Sequence, residues 1–153
     1  QLLEGGIHVP FLMQWKGKLP GGKVYKNMVS SLDIVPTTLA LAGAKIRPEW
    51  QLDGVNLLPY ISGDKPGKPH KTLFWRYKAW SNKPEQDGWA VRKGDWMLVR
   101  NGWSRTPPAL YNLASDPRQS KDLSRKQSEL YDDLLRLWKQ WDSQNVEPGS
   151  INQ

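Results

Sequence analysis

The nine residues from Ile7 to Trp15 (IHVPFLMQW) are almost continuously apolar, and Glu4-Gly5-Gly6 stands immediately before them. Paired glycines permit a tight turn or a close backbone approach. An apolar run of this kind reads as a β-strand covered on both faces. Such a strand needs neighbours on either side, yet only six residues precede it, none of them a Met. The expectation is that these residues belong to the tail of a larger protein, with part of the chemistry lying outside them.

The residues that follow are punctuated for helix and turn. Lys16 to Gly22 is a plain loop. A helix is predicted next, with Ser31 or Asp33 as its cap, Pro36 in its first turn and Gly43 at its end. Ile34, Val35, Leu39 and Ala42 give it an apolar side. Leu52-Asp53-Gly54-Val55 is turn-like, and Leu57 to Ile61 is a short apolar patch. Ser62 to Lys71 (SGDKPGKPHK) is the best candidate boundary.

Beyond that boundary the pattern changes to antiparallel strands. Thr72 to Trp80 (TLFWRYKAW) is strongly β-prone. Trp89 to Arg92 and Trp96 to Arg100 flank Lys93-Gly94-Asp95, a hairpin signal, and Ala109 to Leu113 forms another strand. After a turn at Ser115-Asp116-Pro117 comes an amphipathic helix, with Ser124 and Gln127 as a possible capping box. Its stripe of Leu130, Leu134, Trp138 and Trp141, joined by Tyr131 and Leu135, is suited to cover one face of the sheet.

Composition narrows the functional classes. A chain of 153 residues with nine Trp and 38% hydrophobic residues can bury one core or two small ones. No apolar run approaches the roughly eighteen residues of a membrane span. The absence of Cys removes disulfides, thiolate zinc and thiol nucleophiles, and two His are too few for a three-His metal site. A net charge of +7 suits an anionic partner, although the cations are scattered. Nucleic acid is disfavoured, because no helix carries a cluster of Arg and Lys.

No constellation of nucleophile, base or metal ligands emerges. Asp53, Asp95 and Asp116 stand in turns, where Asp is favoured for local backbone bonding, and Asp132-Asp133 reads as a solvated pair. Ser104 lacks a glycine elbow and a nearby base, so it makes a weak nucleophile. The segment Phe74 to Trp80 is more informative. Strand alternation sets Phe74, Arg76 and Lys78 on one face against Trp75, Tyr77 and Ala79 on the other. Arg76 could grip a sulfate or phosphate, Trp75 or Trp80 could stack on a sugar ring, and His70 could donate to an anion. The simpler alternative is that the aromatics are core and the cations are solvated.

Several stretches in order resemble the C-terminal third of the type I, formylglycine-dependent sulfatases of the alkaline phosphatase superfamily. They are Glu4 to Phe11 (EGGIHVPF), Trp15 to Lys18, Ser30 to Thr37 (SSLDIVPT) with Leu41-Ala42-Gly43, and Leu52 to Leu57 (LDGVNL). Ala90 to Leu98 (AVRKGDWML) and Leu110 to Leu113, leading to Asp116-Pro117, complete the set. The resemblance implies an α/β fold, α+β in its C-terminal part: the tail of an alkaline-phosphatase-like α/β domain, then a small antiparallel sheet packed against a C-terminal helix. Residues 1–62 would end the large domain, 63–71 would be a linker, and 72–153 would form the C-terminal subdomain.

The same resemblance implies where the chemistry is. In these enzymes a Cys or Ser of a Cys/Ser-x-Pro-x-Arg motif becomes formylglycine, a calcium ion polarises the sulfate, and Lys and His neutralise charge. This chain carries neither that motif nor the calcium ligands, so no catalytic or metal residue is expected in it, and alone it should be inactive. A sulfate-contacting Lys of the family lies a few residues before the Glu of Glu-Gly-Gly. Position 8 is usually Arg in the family and is His8 here, and a neutral imidazole does not replace a guanidinium. Substrate-rim candidates are His8, His70, Trp75, Arg76 and Trp80. The implied partners are a sulfated carbohydrate or aryl sulfate and the remainder of the sulfatase domain, and the implied location is periplasmic or extracellular. The alternatives are a phosphoesterase or phosphonate hydrolase of the same superfamily, or a non-catalytic module binding acidic polysaccharide.

Overall fold

A computed structural model describes residues 2–79, 86–102 and 106–146, which fall into two compact units, Gln1–Pro10 with Thr72–Gln153 and Phe11–Lys71. The first unit is built on a four-stranded antiparallel sheet in the order β1-β2-β3-β4, formed by Thr72–Tyr77, Gly88–Lys93, Trp96–Arg100 and Ala109–Asn112. β2 and β3 close through Gly94-Asp95, with Lys93 opposite Trp96. Gly94 sits at φ +60°, the conformation a two-residue hairpin asks of its first central residue.

The sheet has two apolar faces because its sequence alternates with the strand period. Phe74, Val91, Leu98 and Leu110 are cross-strand neighbours on one face, and they meet the helix α4, Ser128–Asp142. Leu134 of α4 is fully buried there. Trp138 stacks on Trp89 with ring centroids 4.3 Å apart, and Trp141 stacks on Phe74 at 5.0 Å. The other face carries Trp75, Ala90, Val99, Met97 and Tyr111, packed with Leu2, Leu3 and Ile7 from the start of the chain.

Two local expectations are corrected. Ser124 and Gln127 do not form a capping box. α4 begins at Ser128, its N-cap Gln127 makes no side-chain cap bond, and Ser124 Oγ donates to Asp122 at 3.0 Å. Asp122 also accepts the N–H of Leu110 at 3.0 Å and that of Ser124 at 2.9 Å, so Ser124 is drawn into a turn against β4. The larger correction concerns Ile7 to Trp15. Glu4–Ile7 is a single helical turn, α1, and residues 8–15 pair with no strand among the described residues. Leu12 is 93% exposed. A strand satisfies its backbone groups through neighbours, and none of the described residues supplies one here.

In the second unit a 3₁₀ turn, Ser31–Asp33, runs into α2, Ile34–Leu41, and a short helix α3 follows at Leu58–Ser62. Ser30 and Asp33 form a reciprocal capping box at the start of the 3₁₀ turn. Pro36 is buried in the first turn of α2. At the other end Gly43 takes φ +69°, with Gly43 N–H bonded to Ala40 and Ala44 N–H to Leu39, the paired arrangement of a Schellman stop. The predicted apolar side of α2 is not covered as expected: Ile34 and Val35 are 44% and 51% exposed, while Pro36 and Thr37 are the buried residues. The helix turns its small polar Thr37 inward because that hydroxyl has backbone partners within the unit, set out below.

Candidate functional site

Two polar clusters, one in each unit, hold the motif residues. The first centres on Glu4. Its backbone N–H donates to Gln119 Oε1 at 2.6 Å. Its carboxylate accepts from Arg92 at 3.3 Å and lies 2.8 Å from His8 Nδ1. Arg92 is aimed by its Nε, which donates to the Gly94 carbonyl at 3.1 Å. Gln119 is buried, adopts φ +53° and turns its amide nitrogen toward Met97 Sδ at 3.4 Å.

The second cluster centres on Asp33, whose side chain is fully buried. One carboxylate oxygen accepts the N–H of Ser30 and the other that of Val55, both at 2.8 Å. His70 Nε2 lies 2.8 and 2.9 Å from the same two oxygens. A buried carboxylate needs such a set of donors, since charge removed from water is stabilised only by pairing and hydrogen bonds. One helical turn on, Thr37 Oγ1 accepts the Leu57 N–H at 3.0 Å and faces the Val55 carbonyl at 3.5 Å. The Ser30-to-Thr37 and Leu52-to-Leu57 motifs are thus two halves of one knot.

The candidate rim residues are dispersed among these arrangements. His8 is the most open of the described candidates, with 71% of its side chain exposed. His70 is committed to Asp33. Trp75 packs in the core face of the sheet with Ala90. Arg76 lies on the helix face, where it pairs with Asp142 and donates to the Val146 carbonyl at 3.2 Å. Trp80 and Ser104 lie outside the described residues. His8 and Arg76 belong to the first unit and His70 to the second.

The donors among the described residues do not fit a calcium site. Among the described residues no three His, Asp or Glu gather for a metal ion, and the enclosed carboxylates of Glu4 and Asp33 are already taken by Arg92 and by His70 with two backbone N–H groups. The second unit also has an apolar groove of about 550 Å³ between residues 11–15, α2 and Leu58, lined in part by Phe11, Leu12, Trp15, Ile34 and Leu41. No described helix is long and apolar enough to cross a membrane.

Residues 1–144 match the family described as N-sulphoglucosamine sulphohydrolase, C-terminal. The chain belongs to that family. An uncharacterized sulfatase of Escherichia coli, YdeN, is 41% identical over 91 residues, which cover 58% of this chain and 16% of that protein. Bovine arylsulfatase A is 33% identical over 158 residues, covering 90% of this chain and 30% of the relative. The crystal structure of Ps i-CgsB in complex with k-i-k-neocarrahexaose superimposes with a TM-score of 0.75 at 28% identity, covering 88% of this chain and 29% of that one. The chain therefore spans less than a third of the length of these relatives.

The structure gives the motif residues roles that their spacing did not reveal. Ser31 or Asp33 reads from sequence as the helix cap, but the cap is Ser30: Asp33 is its reciprocal partner, accepting the Ser30 N–H, and as N-cap of α2 it makes no side-chain cap bond. Its bonds to Val55 and His70 span 22 and 37 residues and left no local signal. Gln119 had no signal at all, since a lone Gln two residues after a Pro is unremarkable in a turn.

Proposed function

We propose that the full-length protein hydrolyses sulfate esters of a sulfated carbohydrate, and that this chain is its non-nucleophilic C-terminal scaffold. The family match over residues 1–144 carries the reading. The formylglycine and the calcium ion belong, in this reading, to the remainder of the sulfatase domain, and the protein works in a periplasmic or extracellular setting. Similarity to Ps i-CgsB, whose structure holds a neocarrahexaose, favours a carbohydrate over a small aryl sulfate.

The chain's own part is to seat the reactive half and to shape the rim. The exposed apolar residues around the groove of the second unit rest against the remainder of the domain. The Glu4-Gly5-Gly6 turn follows, in the family, the segment that carries the sulfate-contacting Lys. His8 is the described rim residue best placed to meet a substrate sulfate, because its side chain stays open to solvent even with Nδ1 2.8 Å from Glu4. Arg76 reaches an anion only by giving up Asp142, and His70 only by giving up Asp33. The subdomains 1–62 and 72–153, with the linker between them, are part of this proposal.

The test is hydrolysis by the full-length protein of 4-nitrocatechol sulfate and of carrageenan and heparin oligosaccharides, each beside a phosphate monoester and a phosphonate ester. Sulfate release preferring an oligosaccharide supports the reading. Faster release of phosphate or phosphonate would replace it with phosphoesterase chemistry, and polysaccharide binding without turnover would make the protein a binding module.

A further inference from the structure

Residues 2–8 are held to the antiparallel sheet by more than adhesion requires. Leu2, Leu3 and Ile7 already pack against the sheet beside Ala90, Met97, Val99 and Leu113. Apolar contact of this kind is non-directional, so it holds the turn down without fixing its rotation or register. Directional bonds do that, and here they converge on Glu4 from two sequence-distant residues. Gln119 takes the Glu4 backbone N–H across 115 residues, and Arg92 takes its carboxylate across 88. Gln119 does so from a left-handed backbone conformation that a non-glycine residue rarely adopts. Its amide oxygen, the strong acceptor, goes to Glu4, while its nitrogen faces the weakly accepting Met97 sulfur. Arg92 is pre-aimed by its bond to the Gly94 carbonyl in the β2–β3 turn.

We infer that Arg92 and Gln119 are positioning residues for sulfate-ester hydrolysis: from the small sheet, they fix the Glu4-Gly5-Gly6 turn and with it the backbone leading in from the reactive half. The inference rests on the sulfatase reading above. Neither residue touches substrate in this scheme. Their effect is transmitted through one backbone bond and one ion pair. A displacement of about 1 Å in a catalytic group costs on the order of a hundredfold in rate, so a loosened turn is felt in kcat before it is felt in binding.

The experiment uses the full-length protein with Gln119→Met, which keeps size but removes the acceptor, and with Arg92→Met and Arg92→Lys. Arg136→Met, which breaks an exposed pair with Asp133, is the control. The readouts are kcat and KM for 4-nitrocatechol sulfate, the thermal midpoint, and hydrogen exchange of the peptide covering residues 2–8. The expected result is a kcat loss of about tenfold or more in Gln119→Met and Arg92→Met, with KM moved by less than about twofold. Exchange in residues 2–8 becomes faster, Arg92→Lys recovers part of the rate, and Arg136→Met matches the parent. Folded Gln119→Met and Arg92→Met proteins with the parent kcat would overturn the inference, as would unchanged exchange in residues 2–8. If Gln119→Met does not fold, Arg92→Lys, which keeps the charge but loses the planar fork, carries the same kcat and KM comparison. A full-length protein that releases no sulfate from any ester sinks the sulfatase reading instead; exchange in Gln119→Met then judges the clamp alone, faster exchange supporting it and unchanged exchange removing it.

Discussion

A Cβ added to Gly54 would stand 2.0 Å from the carbonyl oxygen of Leu32 and 2.8 Å from the N–H nitrogen of Asp33. Both neighbours are backbone, so nothing flexible can yield. Gly54→Ala is expected to destabilise the full-length protein by about 3 kcal/mol, at the upper end of ordinary overpacking, and urea denaturation checks it; a change within experimental error would show that the two motifs do not meet this closely. Asp33→Ala acts on the same knot from the other side. It strands the N–H groups of Ser30 and Val55 and leaves His70 without its acceptor. The expected loss is about 3 kcal/mol or more, and Asp33→Asn, which keeps one acceptor oxygen, should lose less. At this scale the sequence was legible only locally. Gly54 could be assigned to a turn and Asp33 to the helix start because those roles are written within four residues, although the cap itself is Ser30 and Asp33 its reciprocal partner. The reason each is irreplaceable lies in the other motif, and no spacing rule links them.

At the scale of the element, the strands were the clearest part of the sequence because their period is written in every residue. Phe74 and Trp75 point to opposite faces in the sequence pattern, and the register places them beside Val91 and Ala90 in the two different cores. The turn after β4 was legible too, since Asp116-Pro117 carries its own chemistry. Asp116 accepts the Lys121 N–H at 2.8 Å and the Ser120 hydroxyl at 3.0 Å. The Lys121 N–H, chiefly, holds its carboxyl below the usual value of 3.8. A carboxyl whose folded value is depressed contributes stability that is complete above the unfolded value and is lost as pH falls through the folded one. The expected result is an acid limb in stability below about pH 4 that Asp116→Asn flattens; denaturation midpoints between acid and neutral pH that fall equally in both proteins would refute the assignment. What the elements did not disclose was partnership. Ile7 to Trp15 and the apolar side of α2 both announce burial, and hydrophobicity alone does not say against what.

For the whole molecule, those two misread elements carry one message. Leu12 is 93% exposed, Ile34 and Val35 are half open, and all three belong to a unit that has no further apolar layer of its own among the described residues. The antiparallel sheet and α4 could be read correctly because their partners lie within about seventy residues of one another, whereas the relatives that match this chain are more than three times its length. The proposal that the remainder of the sulfatase domain rests on this face makes Leu12 a discriminating position. A residue left in water tolerates substitution within about 0.5 kcal/mol. A buried leucine replaced by an unpaired ammonium loses about 2 kcal/mol of apolar transfer and adds the cost of a desolvated charge. Leu12→Lys in the full-length protein is therefore expected to lose about 3 kcal/mol or more, read as a fall in the denaturation midpoint and in soluble yield. The exposed Lys126→Ala on the other unit should leave both unchanged. If Leu12→Lys is as stable as its parent, residues 11–15 face solvent in the full-length protein, and the seat of the proposed reactive half has to be sought elsewhere, with the Glu4 turn as the remaining candidate.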